Sequence, residues 1–327
     1  MNLDNINNIL IVRFSSLGDV LLTTPVVRSL KAKYPNSKIS FLVKKEFSDV
    51  YKYNPRISNL FIFDKSAGNI NSLLDELKKQ KFDLVIDLQN NFRSRKIVRR
   101  LNTKVITYHK NPLAKFLLVK FKINLLKNAP PIPLRYANAI AADLLDDQGL
   151  EIFTGKDDGE FENNIMIGLA PGSKHFTKRW PKEYFIELGK MIEEAGYSVA
   201  LFGGISEQQL CKEISANLAH AVDFSNNNDL FLTIDNLNKL SLLICNDSGL
   251  MHAACAVNVP VFTIFGSSVK EFGFTPFRNK SIIFEDNLLS CRPCSHIGRS
   301  SCPKKHFKCM MEIKPKMVFD EIKNFVD

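Results

Sequence analysis

Leu242–Gly266, LLICNDSGLMHAACAVNVPVFTIFG, decides the fold. Leu242–Cys245 is a short unbroken apolar run, the mark of a parallel strand buried on both faces. Asn246-Asp247-Ser248-Gly249 interrupts it with turn and N-cap residues, so a helix is expected directly after them. Met251–Val257 is small and apolar enough to lie close on a sheet. Pro260 stops that helix, and Val261–Phe265 reads as the next strand. The succession places a helix N-terminus at the carboxyl end of a buried strand. Open α/β sheets bind ligands there, and the unsatisfied N–H groups and dipole favour an anion. Asp247 and His252 both fall near that mouth, and a phosphate-bearing ligand is the expected occupant.

Upstream of this stretch the second half alternates in the same way. Ile165–Ala170 reads as strand, Pro181–Ala195 as helix, Tyr197–Phe202 as strand, and Ser206–Leu218 and Asp235–Leu242 as helices. A last helix is expected over Pro315–Val326. The first half shows strands at Ile9–Phe14, Lys38–Val43, Leu60–Phe63 and Asp83–Leu88. Helices are expected at Val20–Tyr34, Asn69–Gln80, Phe92–Leu101 and Tyr136–Leu150. Such alternation means parallel sheets with helical crossovers. The expected architecture is two similar α/β halves facing each other across a cleft.

The chain has 327 residues, 45% of them hydrophobic, which suits two domains better than one. No apolar run reaches membrane-spanning length. The opening MNLDNINNILIVRF lacks the basic region and cleavage site of a signal peptide and reads as cytosolic. Seven cysteines, an odd number without an export signal, argue against a disulfide framework. Charge is unevenly placed. Residues 1–150 hold 25 Lys+Arg against 12 Asp+Glu, a net +13, while residues 151–327 hold 19 against 22, a net −3. No acid lies between Asp87 and Asp143, yet 12 basic residues do. A one-sign field of that length suggests an anionic partner, with a solvated basic surface as the plain alternative. Pro112–Leu126 mixes large apolar residues with Lys115, Lys120 and Lys122. Three readings stay open for it: a face lying on an anionic bilayer, a core helix with a wet edge, or partly a strand. The acidic, Gly-containing Glu151–Asn164 coincides with the change of charge sign. It sets the expected division at 1–155 and 156–327, with the C-terminal helix free to pack back on the first domain.

Four loops after strands hold the informative polar residues. Ser15–Asp19 offers a tight glycine turn and a carboxylate, or a plain N-cap. Ala170–Ser173 followed by Lys178-Arg179-Trp180-Pro181 gives a glycine turn, a hydroxyl and two cations, a workable phosphate grip. Phe202–Glu207 is a glycine turn ending in a carboxylate, suited to a ribose hydroxyl or to a helix start. Asn246–Gly249 is the fourth.

Taken in order, Ser15–Asp19, Asp87–Gln89, Ala170–Ser173, Lys178–Pro181 and Asn246–His252 resemble the bacterial heptosyltransferases of glycosyltransferase family 9. NDSGLMH and KRWP are the most specific parts. The resemblance implies a GT-B fold of two Rossmann-like domains and inverting transfer of L-glycero-D-manno-heptose from ADP-heptose to the lipopolysaccharide inner core. The acceptor, of Kdo-lipid A type, is implied on the N-terminal domain and the donor on the C-terminal one. Asp19 matches the family's general base, and Lys178 matches a diphosphate-binding lysine. Ser173, Glu207, Asp247, Ser248, Gly249 and His252 fall at donor positions, and Ser16, Gly18 and Gln89 on the acceptor side. Catalysis is implied to need no metal. Charge placement adds Arg93 and Arg95, with Lys96, Arg99 and Arg100, as contacts for acidic acceptor groups. These expectations put the enzyme in the cytoplasm, peripherally attached to the anionic inner membrane, with no nucleic-acid partner.

Cys291-x2-Cys294-x7-Cys302-x6-Cys309, with His296 and His306 nearby, has a spacing that taken alone favours a structural zinc site, against free thiols in a basic loop. Cys211, Cys245 and Cys255 read as core. Rival functions are a nucleotide-dependent oxidoreductase, for which no G-x-G-x-x-G turn exists, a basic Cys-rich nucleic-acid binder, and a glycosyltransferase with another nucleotide-sugar donor.

Overall fold

The structure, a computed structural model, describes residues 6–64, 70–156 and 165–326. It divides into two compact units, residues 1–111 with 130–156, and residues 112–129 with 157–327. Pro112–Ala129, which a cut at 155/156 assigns to the first half, therefore clusters with the second unit. The linker expected at Glu151–Asn164 is described only as far as Lys156, and the expected helix start at Asn69 lies outside the described residues.

The first unit is a five-stranded parallel sheet built from β1 (Asn8–Val12), β2 (Lys38–Lys44), β3 (Asn59–Phe63), β4 (Leu84–Asp87) and β5 (Lys104–Thr107), in the order β3-β2-β1-β4-β5. Leu10, Val12 and Val85 from its centre meet Leu73, Leu74 and Leu77 of the Ile70–Lys79 helix and Ile97 and Val98 of the Phe92–Val98 helix. The second unit is a six-stranded parallel sheet of β6 (Met166–Ala170), β7 (Ser198–Leu201), β8 (Val222–Asp223), β9 (Leu242–Asn246), β10 (Val261–Phe265) and β11 (Ser281–Glu285). Its order is β11-β10-β9-β6-β7-β8. Phe185, Leu188 and Ile192 of the Lys182–Glu194 helix cover one face. The C-terminal helix, Pro315–Val326, buries Val318 and Ile322 in this same core.

Both sheets are doubly wound, and each reverses strand order once, at β1/β4 and at β6/β9. The registers bring the strand ends level there: Val12 lies opposite Asp87, and Ala170 opposite Cys245. The loops leaving those four strands carry most of the polar residues picked out from sequence, at the position where such sheets hold ligands.

Three helices differ from the sequence expectation. The one expected over Asp235–Leu242 runs instead from Leu230 to Leu237, started by Asp229, whose side chain accepts from Leu232 N, and Leu242 already opens β9. Val20–Tyr34 is two helices, Leu17–Leu21 and Thr24–Lys33, because Pro25 has no N–H to continue the first and the Thr23 hydroxyl bonds Val20 O (2.6 Å) and Tyr51 Oη (2.7 Å). Tyr136–Leu150 is not helical beyond Asn138; that helix runs from Ile132 to Asn138. Arg28 captures the following segment instead, forking onto Asp146 at 2.7 Å and reaching Gly149 O and Glu151. A buried guanidinium satisfied on three sides outweighs the weak gain of another helical turn. Pro112–Leu126 is helical only over Pro112–Phe121.

Candidate active site

In the first unit the strand-order reversal centres on an ion pair. Arg13 leaves the end of β1 buried, with its guanidinium carbon over the Tyr136 ring, 5.7 Å from the ring centre. Its Nη1 donates to Leu88 O (2.7 Å) and its Nε to Ser15 O (3.1 Å), so the guanidinium bridges the exits of β1 and β4. The remaining nitrogen reaches Asp19 Oδ1 at 2.5 Å. The other Asp19 oxygen accepts from the Ser16 N–H and hydroxyl, both at 3.0 Å. Burial by itself pushes the Asp19 carboxyl up; Arg13 and the Ser16 hydrogen bonds outweigh it, and the group sits below the ordinary carboxylate range. Asp19 is thus ionised, oriented and only partly covered.

Around it the positions expected on the acceptor side take different parts. Gly18 is buried and Ser16 exposed. The Gln89 carboxamide oxygen accepts from the Phe14 and Ser15 N–H groups, so that end of the side chain fastens the loop after β1. Asp87 caps the loop after β4, accepting from Gln89 N, Asn90 N and the Ser94 hydroxyl. Burial raises its carboxyl above the usual range despite those bonds. On the Phe92–Val98 helix, Arg95 donates to Asn90 Oδ1 (2.8 Å) and lines an open groove of about 480 Å³ together with Phe92, Lys96, Arg99 and Arg100. Arg93 is exposed on the same helix. Lys110, held below the usual lysine range by burial and then by Arg13, adds another cation facing Asp19 and Asp87. Neither Arg13 nor Lys110 announces itself in sequence, since each acts through partners far along the chain.

In the second unit the turns after β6 and β9 are stitched together. The Asn246 amide donates to Pro171 O (2.8 Å) and Gly172 O, and its oxygen accepts from Trp180 N (3.0 Å). Trp180 is buried and donates through Nε1 to Ile313 O, fixing the KRWP stretch onto the core. This places Lys178 Nζ 2.6 Å from Asp247 Oδ2, an oxygen that also accepts from the Ser268 hydroxyl at 2.6 Å. Ser173 Oγ reaches Asp247 O at 3.4 Å, while Arg179 Nε donates to Ser173 O at 2.6 Å. Ser248 is the N-cap of the Gly249–Ala256 helix, yet its hydroxyl caps nothing; it is buried without a hydrogen-bond partner among the described residues. His252 is buried one turn into that helix. Glu207 accepts from Gly204 N (3.1 Å) and the Ser206 hydroxyl and lies directly over Gly172, where a Cβ would come within 2.3 Å of Glu207 Cγ. Glycine at 172 is thus what lets the carboxylate approach the turn.

The field at this point is positive. Burial, then Lys178, Lys174 and Arg179, hold the His175 imidazole below its usual value. Sequence reasoning passed over Ser268 and Arg292. The latter is buried and donates to Gly266 O (2.5 Å), Ser268 O (2.9 Å) and Glu285 (2.9 Å), holding the loop that presents Ser268. The turns thus gather an ion-paired lysine, a helix N-terminus, a buried hydroxyl without a partner and a carboxylate over the Gly172 turn, a set of groups that suits a diphosphate.

The four loop cysteines line one small cavity of about 20 Å³ with His306, and Cys291 Sγ is 3.9 Å from His306 Nε2. Burial pushes the Cys309 thiol up to about 12. Among the described residues no three His, Cys, Asp or Glu side chains are grouped to hold a metal ion. Cys211, Cys245 and Cys255 are buried.

Comparison with known proteins gives the family and the fold. The model of glycosyltransferase family 9 (heptosyltransferase) matches residues 70–305. A lipooligosaccharide heptosyltransferase 2 of Campylobacter jejuni is 26% identical, over 94% of this chain and 95% of its own length. The family 9 glycosyltransferase of Veillonella parvula superposes with a TM-score of 0.78 at 22% identity, over 99% and 98% of the two chains. The Escherichia coli structure titled ADP-heptose lps heptosyltransferase II does so at 0.73 and 21%, over 97% and 98%. Two parallel α/β sheets of GT-B type and a family match over most of the chain make this protein a member of glycosyltransferase family 9, the heptosyltransferases.

Proposed function

We propose that this heptosyltransferase moves L-glycero-D-manno-heptose from ADP-heptose to the inner core of lipopolysaccharide, with inversion at the anomeric carbon. The acceptor oxygen attacks that carbon, the bond to ADP breaks, and the acceptor's proton passes to Asp19. Charge developing on the departing diphosphate falls to Lys178, to the first N–H groups of the Gly249–Ala256 helix and to the Ser248 hydroxyl. Ser173 adds a hydroxyl to the phosphates, and Glu207 accepts from the ribose. Asp247 holds Lys178 in place until the ligand takes it, and His252 backs the helix start. The reaction as proposed needs no metal.

One observation carries the reading: Lys178 and the unpartnered Ser248 hydroxyl lie at the same strand-order reversal, beside a helix N-terminus. A buried hydroxyl without a partner costs about 1–3 kcal/mol, and an anionic oxygen removes that cost. The names of the relatives, lipopolysaccharide and lipooligosaccharide heptosyltransferases, support the acceptor class. On the first unit Ser16, Gly18 and Gln89 shape the loop beside Asp19, while Arg93 and Arg95 meet the carboxylates and phosphates of a Kdo-lipid A type acceptor. Such an acceptor puts the enzyme at the cytoplasmic face of the inner membrane, attached peripherally, with no nucleic acid as partner.

Incubation with ADP-heptose and a panel of truncated core acceptors, read by mass, should show one added heptose and released ADP. Transfer from a different nucleotide sugar alone would overturn the donor assignment. Asp19→Asn should keep ADP binding and lose about 10²-fold in turnover; undiminished turnover removes Asp19 from the mechanism.

A further inference from the structure

Residues 112–127 carry an apolar face that the core does not use. Their inner side is fixed. Leu118 and Leu126 are buried with Phe272, flanked by Val119, Val269 and Phe274. Lys122 Nζ donates to Cys291 O (3.1 Å) and Pro293 O (2.7 Å), and Asn124 Nδ2 to Glu271 Oε1 (3.1 Å). With that side held, Leu113, Phe116, Phe121, Ile123 and Leu125 are left 50% to 67% exposed. The Phe116 and Phe121 rings meet edge to face at 5.9 Å, so part of the patch is pre-organised. Lys120 and Lys127 are exposed among them, and residues 112–129 contain no Asp or Glu.

Single exposed apolar side chains are ordinary. Five within 13 residues, on an anchored segment without an acid, mark an interaction surface. Charge selects the partner. Lysines uncountered by acids want an anionic surface, and aromatic and aliphatic side chains interleaved with them want hydrocarbon. The boundary between headgroups and acyl chains of an anionic bilayer supplies both at one depth. We propose that residues 113–127 seat the protein on an anionic membrane, with Leu113, Phe116, Phe121, Ile123 and Leu125 entering the interface and Lys120 and Lys127 at the phosphates. The inference rests on the proposed function only in supplying a reason for a membrane, because a lipid-anchored acceptor lies in such a surface; the test itself uses no acceptor.

The full chain is sedimented with vesicles of phosphatidylcholine alone and of phosphatidylcholine with phosphatidylglycerol. It should bind the second and not the first, and binding should weaken in high salt. Lys120→Gln with Lys127→Gln should lower partitioning about 25-fold, taking about five-fold per lysine. Phe116→Ser with Phe121→Ser should lower it about ten-fold or more. All four side chains are exposed or outward-facing, so thermal unfolding and ADP affinity should not move. Failure of the wild-type chain to bind anionic vesicles, or equal binding by both double variants, overturns the proposal. So does self-association that both variants abolish without any vesicle binding, since a second copy is then the occupant. Vesicle binding by a chain that transfers heptose to no acceptor would leave this surface standing and sink the proposed function instead.

Discussion

Lys178→Ala tests the donor grip at its centre. Lys178 Nζ lies 2.6 Å from Asp247 Oδ2, with the two side chains only 15% and 9% exposed. Removing one partner of a pair so covered leaves the other charged and unpaired, at a cost of about 3–5 kcal/mol. The Ser268 hydroxyl still donates to the same oxygen at 2.6 Å and offsets about 1 kcal/mol of that. The variant should therefore lose about 2–4 kcal/mol of stability. ADP affinity should fall separately. A hydrogen bond to a charged phosphate contributes about 1.5–3 kcal/mol, so binding should weaken about 10- to 150-fold. A second variant separates the two effects. Lys178→Ala with Asp247→Asn removes the orphaned charge, so most of the stability should return while ADP affinity stays low. Thermal unfolding reads the first quantity and titration calorimetry with ADP the second. Unchanged ADP affinity in Lys178→Ala would place the phosphates elsewhere. Full recovery of ADP affinity in the double variant would mean that the lysine acts only by neutralising Asp247.

Arg13→Gln leaves burial opposed only by the Ser16 hydrogen bonds, so the Asp19 carboxyl should rise. In the wild type that carboxyl is held low, and its ionised form persists as pH falls well into the acid range; in the variant the acid limb of kcat/KM should move toward neutrality, and an unmoved limb refutes the pairing. Gly172→Ala puts a Cβ 2.3 Å from Glu207 Cγ; it should cost about 1–3 kcal/mol of stability and weaken ADP binding, whereas a variant matching the wild type in both would show that Glu207 moves freely. Metal analysis of protein purified without added zinc should return well under one ion per chain, because the loop thiols are not grouped as a ligand set; one zinc per chain, lost together with folding on chelation, would reverse that.

The strands that were plain in sequence are those buried on both faces. β9 and β10 lie within a residue of the expected Leu242–Cys245 and Val261–Phe265, because a central parallel strand must be apolar at every position. The edge strands β5, β8 and β11 carried no such signal. Lys104–Thr107 buries only Ile106, Val222–Asp223 is exposed at both residues, and Ser281–Glu285 has no buried position. Edges need only backbone pairing from one neighbour, so side-chain pattern says little about them. The same division runs through the site. Glycine turns, N-cap residues and the KRWP lysine are local signals and were legible. Arg13, bonded to a carbonyl 75 residues away, and Arg292, which organises the loop after β10, act through partners that only the folded chain brings near. The helix expected over Tyr136–Leu150 failed for that reason too: Arg28, more than a hundred residues earlier, claims Asp146 within it and Glu151 just after it.

The polypeptide passes between its two compact units three times, at residues 111/112, 129/130 and 156/157. Neither unit is therefore a continuous piece of chain. During synthesis the Leu118 and Leu126 side chains leave the ribosome long before Phe272, the residue that shelters them, has been made. Until then they are sticky surface on the nascent first half. A fragment ended near residue 155 would carry that raw patch permanently, and a fragment begun there would bare Phe272. Separately expressed halves should thus be prone to aggregation, yet able to rescue each other when co-expressed.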